Sequence, residues 1–199
     1  MIKGKIPAIL IYGAPGSGKG TQAVLLEKLF PLKQFSTGDI FRSIPKTSTL
    51  WKSLDKDYIS KGMLVPDEKT VEIFKHYIEA SIKMFKFDPE QEYALLDGIP
   101  RTTEQLSIIQ RFMDIKAVIV LEKVDNNILI ERIIERGKRQ NRTDDTDRNI
   151  INNRLNIYYE TTQKLLKEID DKQIIRVDGN LEKHAVLHHI CEELKSYLL

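Results

Sequence analysis

The sequence predicts an α/β fold in which a five-stranded parallel sheet is covered by helices on both faces. Strand-like runs recur at 6–12, 33–36, 93–97, 116–121 and 173–177. Three of them, around Ile9, Leu95 and Ile119, are apolar throughout rather than alternating, which is typical of strands buried on both faces. Helical patterns separate the strands, and this alternation favours a parallel sheet. Ligands of such sheets bind at the carboxyl ends of the strands.

Composition narrows the classes of function. The 199 residues fit one domain with insertions, and 31 basic against 29 acidic residues leave a net charge of +2. This balance gives no reason to expect binding to nucleic acid or to a membrane. A single cysteine, Cys191, excludes an internal disulfide and a multi-cysteine zinc site. No apolar run reaches the length of a membrane span, so we expect a cytoplasmic protein without zinc.

A glycine-rich stretch connects the first strand to the first helical pattern. It reads Gly13-Ala14-Pro15-Gly16-Ser17-Gly18-Lys19-Gly20-Thr21-Gln22. Glycines let the backbone wrap around an anion, the amide groups and the helix N-terminus attract it, and Lys19 adds a charge that reaches the β- and γ-phosphates. Thr21 lies one position later than the hydroxyl residue of the commonest loop of this kind. A turn without ligand is the alternative, but strand, glycines, lysine and helix in this order favour a nucleotide phosphate site.

A second motif follows the 93–97 strand and reads Leu96-Asp97-Gly98-Ile99-Pro100-Arg101-Thr102-Thr103-Glu104-Gln105. A carboxylate at the end of a buried strand can hold water on Mg²⁺ or position the phosphate loop. The alternative is that Asp97 is only a turn residue. Thr102 or Thr103 is expected to cap a helix that carries Gln105 in its first turn.

Arginine is concentrated near these motifs. The chain has 21 lysines but only ten arginines, and six of these ten fall on the motif-bearing segments: Arg42, Arg101, Arg132, Arg136, Arg142 and Arg154. The planar guanidinium suits phosphate oxygens. Solvated surface charge is the alternative for each residue alone, whereas the group indicates more ligand charge than one triphosphate carries.

Three segments have patterns of their own. The stretch 37–66 contains no long apolar strand, includes a helical pattern from Thr49 to Gly62, and reads as a helical insertion. Helical spacing that includes Phe85 predicts a core-facing helix after Pro66. The polar segment from Gly137 to Asp145 predicts a mobile surface flap, and a long helix from about Asp147 to Ile169 should follow it.

With these segments in order, the chain resembles an adenylate kinase over nearly its whole length. Four motifs carry the resemblance: Gly13–Gln22 resembles GxPGxGKGTQ, Ser36–Arg42 resembles STGDxxR, Gly62–Pro66 resembles GxLVP, and Leu96–Gln105 resembles LDGFPRTxxQ. Asn141 stands where the family usually has glycine.

The resemblance implies reversible transfer of the γ-phosphoryl group of Mg·ATP to AMP, giving two ADP. It implies the three-layer fold of P-loop NTPases, with a core at 1–36, 67–136 and 147–199, an AMP-binding insertion at 37–66 and a short lid at 137–146. The family is usually monomeric, so a monomer is expected.

The resemblance also implies site residues. Catalytic groups would be Lys19, Arg101, Arg136, Arg142 and Arg154. ATP would contact Gly13, Pro15, Gly16, Ser17, Gly18, Lys19, Gly20, Thr21, Arg132 and Arg136. AMP would contact Thr37, Gly38, Arg42, Val65, Gly98, Arg101, Gln105, Arg142 and Arg154. Thr21, and Asp97 through water, would serve the magnesium ion.

Acceptor choice and alternative functions can be argued from a few positions. Glutamine can pair with an adenine edge at two points, and pyrimidine monophosphate kinases of this superfamily usually have other residues at Thr37 and Gln105. AMP is therefore favoured over UMP or CMP. A GTPase would need a guanine motif that the sequence lacks. A nucleotide-binding adaptor without turnover would be expected to have lost Lys19, Asp97 or several arginines.

Overall fold

The computed structural model describes residues 4–198, apart from the side chains of Asp55 and Thr143. Five strands form one parallel sheet in the order β2-β3-β1-β4-β5. They are β1 (Ile6–Gly13), β2 (Leu32–Ser36), β3 (Tyr93–Asp97), β4 (Met113–Glu122) and β5 (Ile174–Asp178). The predicted α/β class and all five strands are confirmed, and residues 1–3 and 199 of the predicted core lie outside the described residues.

Nine α-helices connect or flank the strands of the described chain. They are α1 (Lys19–Leu29), α2 (Thr37–Ser43), α3 (Thr49–Asp57), α4 (Asp67–Lys83), α5 (Thr103–Ile109), α6 (Asn126–Gln140), α7 (Arg148–Ile157), α8 (Gln163–Leu165) and α9 (Lys183–Leu198). None of the helices described between residues 4 and 198 is both long and apolar enough to cross a membrane.

The two faces of the sheet carry separate clusters of buried side chains. Ile9 and Ile11 of β1 point to one face, where they pack with α1 and α9. Leu10 and Tyr12 point to the other, where the cluster includes Ile40 of α2 and parts of α4, α5 and α8. Strict alternation along a central, doubly covered strand therefore divides the molecule into two layers of helices.

Several boundaries differ from the sequence-based prediction. The helix expected from Thr49 to Gly62 ends at Asp57, and a separate 3₁₀ turn spans Ile59–Lys61. The segment predicted as a surface flap from Gly137 onward begins within α6, which continues to Gln140. The long helix expected over 147–169 is broken into α7, a π-helical turn (Tyr158–Thr162), α8 and a 3₁₀ turn.

The prediction that Phe85 packs in the core is wrong. Phe85 is 97% exposed, since α4 ends at Lys83 and the chain turns through a positive φ of 55° at Phe85. The helical spacing of apolar residues in the sequence extends to Phe85, but the helix itself ends at Lys83.

Candidate active site

The glycine-rich stretch forms a tight loop between β1 and α1. Gly13, Gly16 and Gly18 have φ values of 149°, 85° and 101°, which L-residues rarely adopt. A Cβ on Gly16 would stand 2.6 Å from Leu129 O. Glycine is therefore required both by conformation and by the close approach of α6, and the loop amides can face an anion.

Lys19 lies at the N-terminus of α1 and bends back over the loop. Its Nζ donates to Gly13 O at 2.8 Å and to Ala14 O at 3.1 Å. Burial lowers the pKa of Lys19 to about 8; Asp97 acts to raise it, and the guanidinium groups of Arg101, Arg136 and Arg154 lower it. The ammonium group therefore lies among other cations and would be stabilised by a ligand of negative charge.

Three buried polar atoms next to this loop have no hydrogen-bond partner within the described residues: Tyr12 Oη, Ser17 Oγ and Gln22 Oε1. Such groups usually carry a free-energy cost of about 1–3 kcal/mol each. All three residues border the same cavity. Their clustering indicates a place where partners arrive with a ligand.

The cavity has a volume of about 730 Å³ and opens at the carboxyl ends of the strands. The whole of Gly16–Gln22 borders it, together with Gly13 and Pro15. Every arginine predicted for the site borders it as well: Arg42, Arg101, Arg132, Arg136, Arg142 and Arg154. A polyanion of nucleotide size fits both the volume and the charge.

Asp97 is the residue that best fits a hydrated magnesium ion. It ends β3 beside Ile11 of β1, and its Oδ2 would stand 3.9 Å from a Cβ on Gly20. Within residues 4–198 its carboxylate makes no hydrogen bond or ion pair, so its oxygen atoms are available to water on a metal. Thr21 is exposed on the cavity wall next to Gly20. The described residues contain no ready-made cluster of His, Cys, Asp and Glu for a metal.

Two predicted arginines share one buried carboxylate. Asp145 is 0% exposed; Arg136 donates to it through Nε at 2.7 Å and through Nη2 at 3.0 Å, and Arg154 Nη1 donates at 2.6 Å. Burial alone would raise the pKa of Asp145, but the hydrogen bonds and charges of Arg136 and Arg154 lower it overall. Asp145 therefore holds two guanidinium groups side by side that would otherwise repel each other.

The residues predicted for the acceptor nucleotide separate into two groups. Gly38, Arg42, Gly98 and Arg101 border the cavity, and Arg101 Nε donates to Gly98 O at 2.8 Å. Thr37, Val65 and Gln105 are buried and do not border it. Their predicted contacts with AMP require movement of the surrounding chain.

The side chains of Thr37 and Gln105 already have protein partners. Thr37 Oγ1 donates to Gly98 O at 2.9 Å. Gln105 Oε1 accepts from Arg101 N, and Nε2 donates to Asp67 Oδ1, both at 2.7 Å. An amide group can make four hydrogen bonds, so Gln105 retains further capacity for a base edge.

Asn141 occupies a position at which the family usually has glycine. It ends α6 in the left-handed conformation, with φ of 52°, and asparagine tolerates this region better than most residues. The turn brings Arg142 to the cavity, where Arg142 Nη2 lies 3.8 Å from Asp39 Oδ1. The same carboxylate accepts from Arg42 Nη2 at 2.7 Å.

Sequence reasoning missed several residues at the site. Asp145 lay within a segment interpreted as a surface flap, and only its position between arginine-bearing helices could have indicated a role. Arg139 borders the cavity beside the predicted arginines. Residues that follow β5 complete the wall near the loop: Gly179, Leu181, Lys183 and Val186. Gly179 O accepts from Arg132 Nη1 at 3.4 Å, and Lys183 O accepts from Gln22 Nε2 at 3.0 Å.

Comparison with known proteins agrees with this geometry. The family model for adenylate kinase matches residues 11–174. The chain belongs to the adenylate kinase family. An adenylate kinase of Synechococcus sp. (strain JA-2-3B'a(2-13)) is 34% identical over 96% of this chain and 98% of its own length. One from Flavobacterium psychrophilum is 38% identical over 86% and 89%, and one from Kocuria rhizophila is 36% identical over 96% and 97%.

Membership of the adenylate kinase family confirms the resemblance found in the sequence, together with the expected class of enzyme, a nucleotide phosphotransferase. No finding favours a uridylate or cytidylate kinase or an adaptor without activity. The individual site residues stay predictions.

Proposed function

We propose that the protein catalyses reversible transfer of the γ-phosphoryl group from Mg·ATP to AMP, giving two ADP, and that the 730 Å³ cavity is the site of transfer. The observation that carries the proposal is the meeting, in one cavity, of the glycine loop, Lys19, Asp97 and the six predicted arginines. The charge on these groups suits two nucleotides that together carry four phosphates.

On the donor side, the loop amides and Lys19 bind the phosphates of ATP. Lys19 leaves Gly13 O and Ala14 O and turns its three donors towards the β- and γ-phosphates. Ser17 and Thr21 supply hydroxyl groups, and Arg132 lies where Gly179 and Leu181 form the wall near the nucleoside. Mg²⁺ arrives as part of Mg·ATP, and Asp97 accepts hydrogen bonds from its water ligands.

On the acceptor side, Arg42 and Arg101 bind the phosphate of AMP, while Thr37, Gly38, Val65, Gly98 and Gln105 surround the nucleoside. A phosphate oxygen of AMP attacks Pγ in line with the bond to the β-phosphate oxygen, which breaks as ADP leaves. The attacking oxygen is already anionic near neutral pH, because the second pKa of a phosphate monoester is about 6. The reaction therefore needs alignment and charge stabilisation rather than a general base.

Arg136, Arg142 and Arg154 stabilise the charge that spreads over the transferring group. The insertion 37–66 and the lid 137–146 close on the substrates and shut out water, which would otherwise hydrolyse ATP. Two contacts of the insertion support the proposal. Arg142 Nη2 of the lid lies 3.8 Å from Asp39 Oδ1 of the insertion, and Asn153 Nδ2 of α7, next to the lid, donates to Lys61 O at 2.8 Å.

The decisive experiment measures initial rates with Mg·ATP and AMP, UMP, CMP or GMP in separate reactions. A strong preference for AMP is expected, because the glutamine amide at Gln105 matches an adenine edge. Preference for UMP or CMP would overturn the acceptor assignment while leaving phosphoryl transfer in place. Binding of Mg·ATP without turnover of any acceptor would overturn the proposal as a whole.

We further propose that the protein works as a cytoplasmic monomer with no nucleic-acid partner. The near-neutral net charge of +2 supports the last point, since nucleic-acid-binding proteins usually carry a strong positive excess. Light scattering of the purified chain tests the oligomeric state, and a mass near 23.0 kDa is the expected result.

A further inference from the structure

Tyr12 is the second-last residue of β1 and directly precedes Gly13, the first residue of the glycine-rich loop. Its side chain is 3% exposed, and the hydroxyl group has no hydrogen-bond partner within the described residues. A phenol at this point is costly for the free protein, because a buried hydroxyl without a partner loses its bonds to water. Phenylalanine would fill nearly the same space without that cost.

The position of Tyr12 in the sheet decides which substrate it can meet. Tyr12 pairs with Val120 of β4 and belongs to the same buried cluster as Ile40 of α2 and Ile99, which precedes Arg101 by two residues. The helices α1 and α9, which border the donor loop, pack on the opposite face with Ile9 and Ile11. Tyr12 therefore faces the layer that carries the acceptor-side residues.

The charged and polar groups that act on the Tyr12 hydroxyl are Arg101 and Tyr158. Burial and the neighbouring Tyr158 raise the pKa of Tyr12 well above its ordinary value, whereas the charge of Arg101 lowers it. The phenol therefore keeps its proton at neutral pH and can act as a donor. Tyr12, Arg101 and Tyr158 all border the cavity.

We propose that the Tyr12 hydroxyl donates a hydrogen bond to the phosphate of the acceptor nucleotide, beside Arg101, and so contributes to acceptor binding. The inference rests on the proposed function for the identity of the acceptor. The hydroxyl is covered in the free protein, so the bond forms as Arg101 turns towards the incoming phosphate. Arg101 can turn because, in the described part of the chain, Nε is the one guanidinium nitrogen that donates a hydrogen bond.

The test compares Tyr12→Phe with the matched control Tyr197→Phe by calorimetric titration of AMP and, separately, of Mg·ATP. Both variants lose one phenolic oxygen, but Tyr197 lies away from the cavity and its hydroxyl donates to Lys172 O at 2.6 Å. Tyr12→Phe should weaken AMP binding about tenfold, as expected for loss of a hydrogen bond to a charged group, and leave Mg·ATP within threefold of wild type. Tyr197→Phe should change neither.

The melting temperature gives a second contrast. Tyr12→Phe should melt at or above the wild-type temperature, because it removes a buried hydroxyl that has no partner among the described residues. Tyr197→Phe should melt below the wild-type temperature, because it loses the hydrogen bond to Lys172 O. AMP affinity of Tyr12→Phe within threefold of wild type, or equal weakening for Mg·ATP, overturns the proposal and assigns the hydroxyl to water or to packing. These titrations need no turnover, so they are independent of whether the rates confirm the proposed function.

A readout without substitution covers the case in which Tyr12→Phe does not fold. Wild-type protein labelled with ζ-¹³C-tyrosine should show a shift of the Tyr12 signal on addition of AMP and none on addition of Mg·ATP alone. A Tyr12 chemical shift that does not change on addition of AMP overturns the proposal.

Discussion

The glycine loop and the arginine pair, Arg136 of α6 and Arg154 of α7, are both predicted to bind phosphate groups of the substrates. Their polar groups are organised in opposite ways. In the loop, Ser17 Oγ has no hydrogen-bond partner among residues 4–198, and Lys19 bends back onto the carbonyl groups of Gly13 and Ala14. Arg136 and Arg154, in contrast, are already paired with the buried Asp145. The loop therefore has hydrogen-bonding groups that remain available to a ligand, whereas the two arginines are held in position by Asp145 before any ligand binds.

The difference follows from charge. Backbone amides carry only partial charges, so a loop of amides tolerates an empty site. Two guanidinium groups in one cavity repel each other, and a carboxylate between them offsets that repulsion. A bound phosphate then shares the two arginines with Asp145. Because Asp145 keeps its bonds to them, the arginines stay in position, and their affinity for a ground-state ligand is limited. Fixed charges of this kind stabilise a transition state well because they need no reorganisation.

Removal of the Lys19 charge should have the largest effect on the loop. Lys19→Met should lower kcat by at least about 10²–10³-fold, since it deletes a charge that faces the transferring group. The fold should survive, because the hydrogen bonds lost are the two from Nζ to Gly13 O and Ala14 O. Steady-state rates and circular dichroism check both points. Turnover close to wild type would contradict the assignment of the loop.

Removal of the Asp145 charge should have the largest effect on the arginine pair. Asp145→Asn keeps the shape but leaves Arg136 and Arg154 facing each other, and the unfolding free energy should fall by about 3 kcal/mol. The matched control is Asp144→Asn, since Asp144 meets Arg154 alone, at 3.1 Å, and its side chain is 28% exposed. Equal losses for the two variants in urea denaturation would show that burial of Asp145 carries no special weight.

The pKa of Asp145 adds a pH dependence to the same comparison. Because the folded pKa is lower than the value of 3.8 for an unperturbed aspartate, the stabilisation is fully present above that value and is lost as pH falls through the folded pKa. The stability difference between wild type and Asp145→Asn should therefore shrink as the pH falls below about 4. Thermal unfolding between pH 3 and 7 measures it, and a constant difference would contradict the ion-pair account.

The two regions also differ in how much of them the sequence could predict. The loop is made of ten consecutive residues, so its strand, glycines, lysine and helix are visible in order. The three central strands were equally visible, because strands that are covered on both faces need continuous apolar runs such as Ala117–Leu121. Local chemistry determined both features.

The arginine pair could be predicted only in part. The concentration of arginine on the motif-bearing segments indicated a site, but no local pattern shows that Asp145 is buried, since a polar segment such as 137–145 ordinarily lies in solvent. Its burial depends on partners that precede and follow it by nine residues and on the turn at Asn141. The hydrogen bond between Gln105 and Asp67 joins residues that are 38 positions apart in the sequence, so no local pattern could predict it either.

A pH profile should separate Lys19 from the arginines, because guanidinium groups in general do not lose their proton in proteins. Because burial lowers the pKa of free Lys19 to about 8, the protein loses its loop charge as pH rises past this value. The kcat/KM for Mg·ATP should therefore fall towards a tenfold decrease per pH unit above about pH 8. Lys19→Arg, whatever its own activity, should lack this inflection. A wild-type profile that is flat to pH 10 would contradict the pKa.

The smallest effect is expected where a carboxylate holds arginines without being buried. Asp39 meets Arg42 at 2.7 Å and Arg142 at 3.8 Å, as Asp145 meets its own pair, but its side chain is 66% exposed. Solvent screens such pairs, so Asp39→Asn should lower the unfolding free energy by no more than about 1 kcal/mol, against about 3 kcal/mol for Asp145→Asn. Urea denaturation of the two variants side by side makes the measurement. If Asp39→Asn destabilised the protein as much as Asp145→Asn, contact between charges, rather than their burial, would decide what a carboxylate contributes at this site.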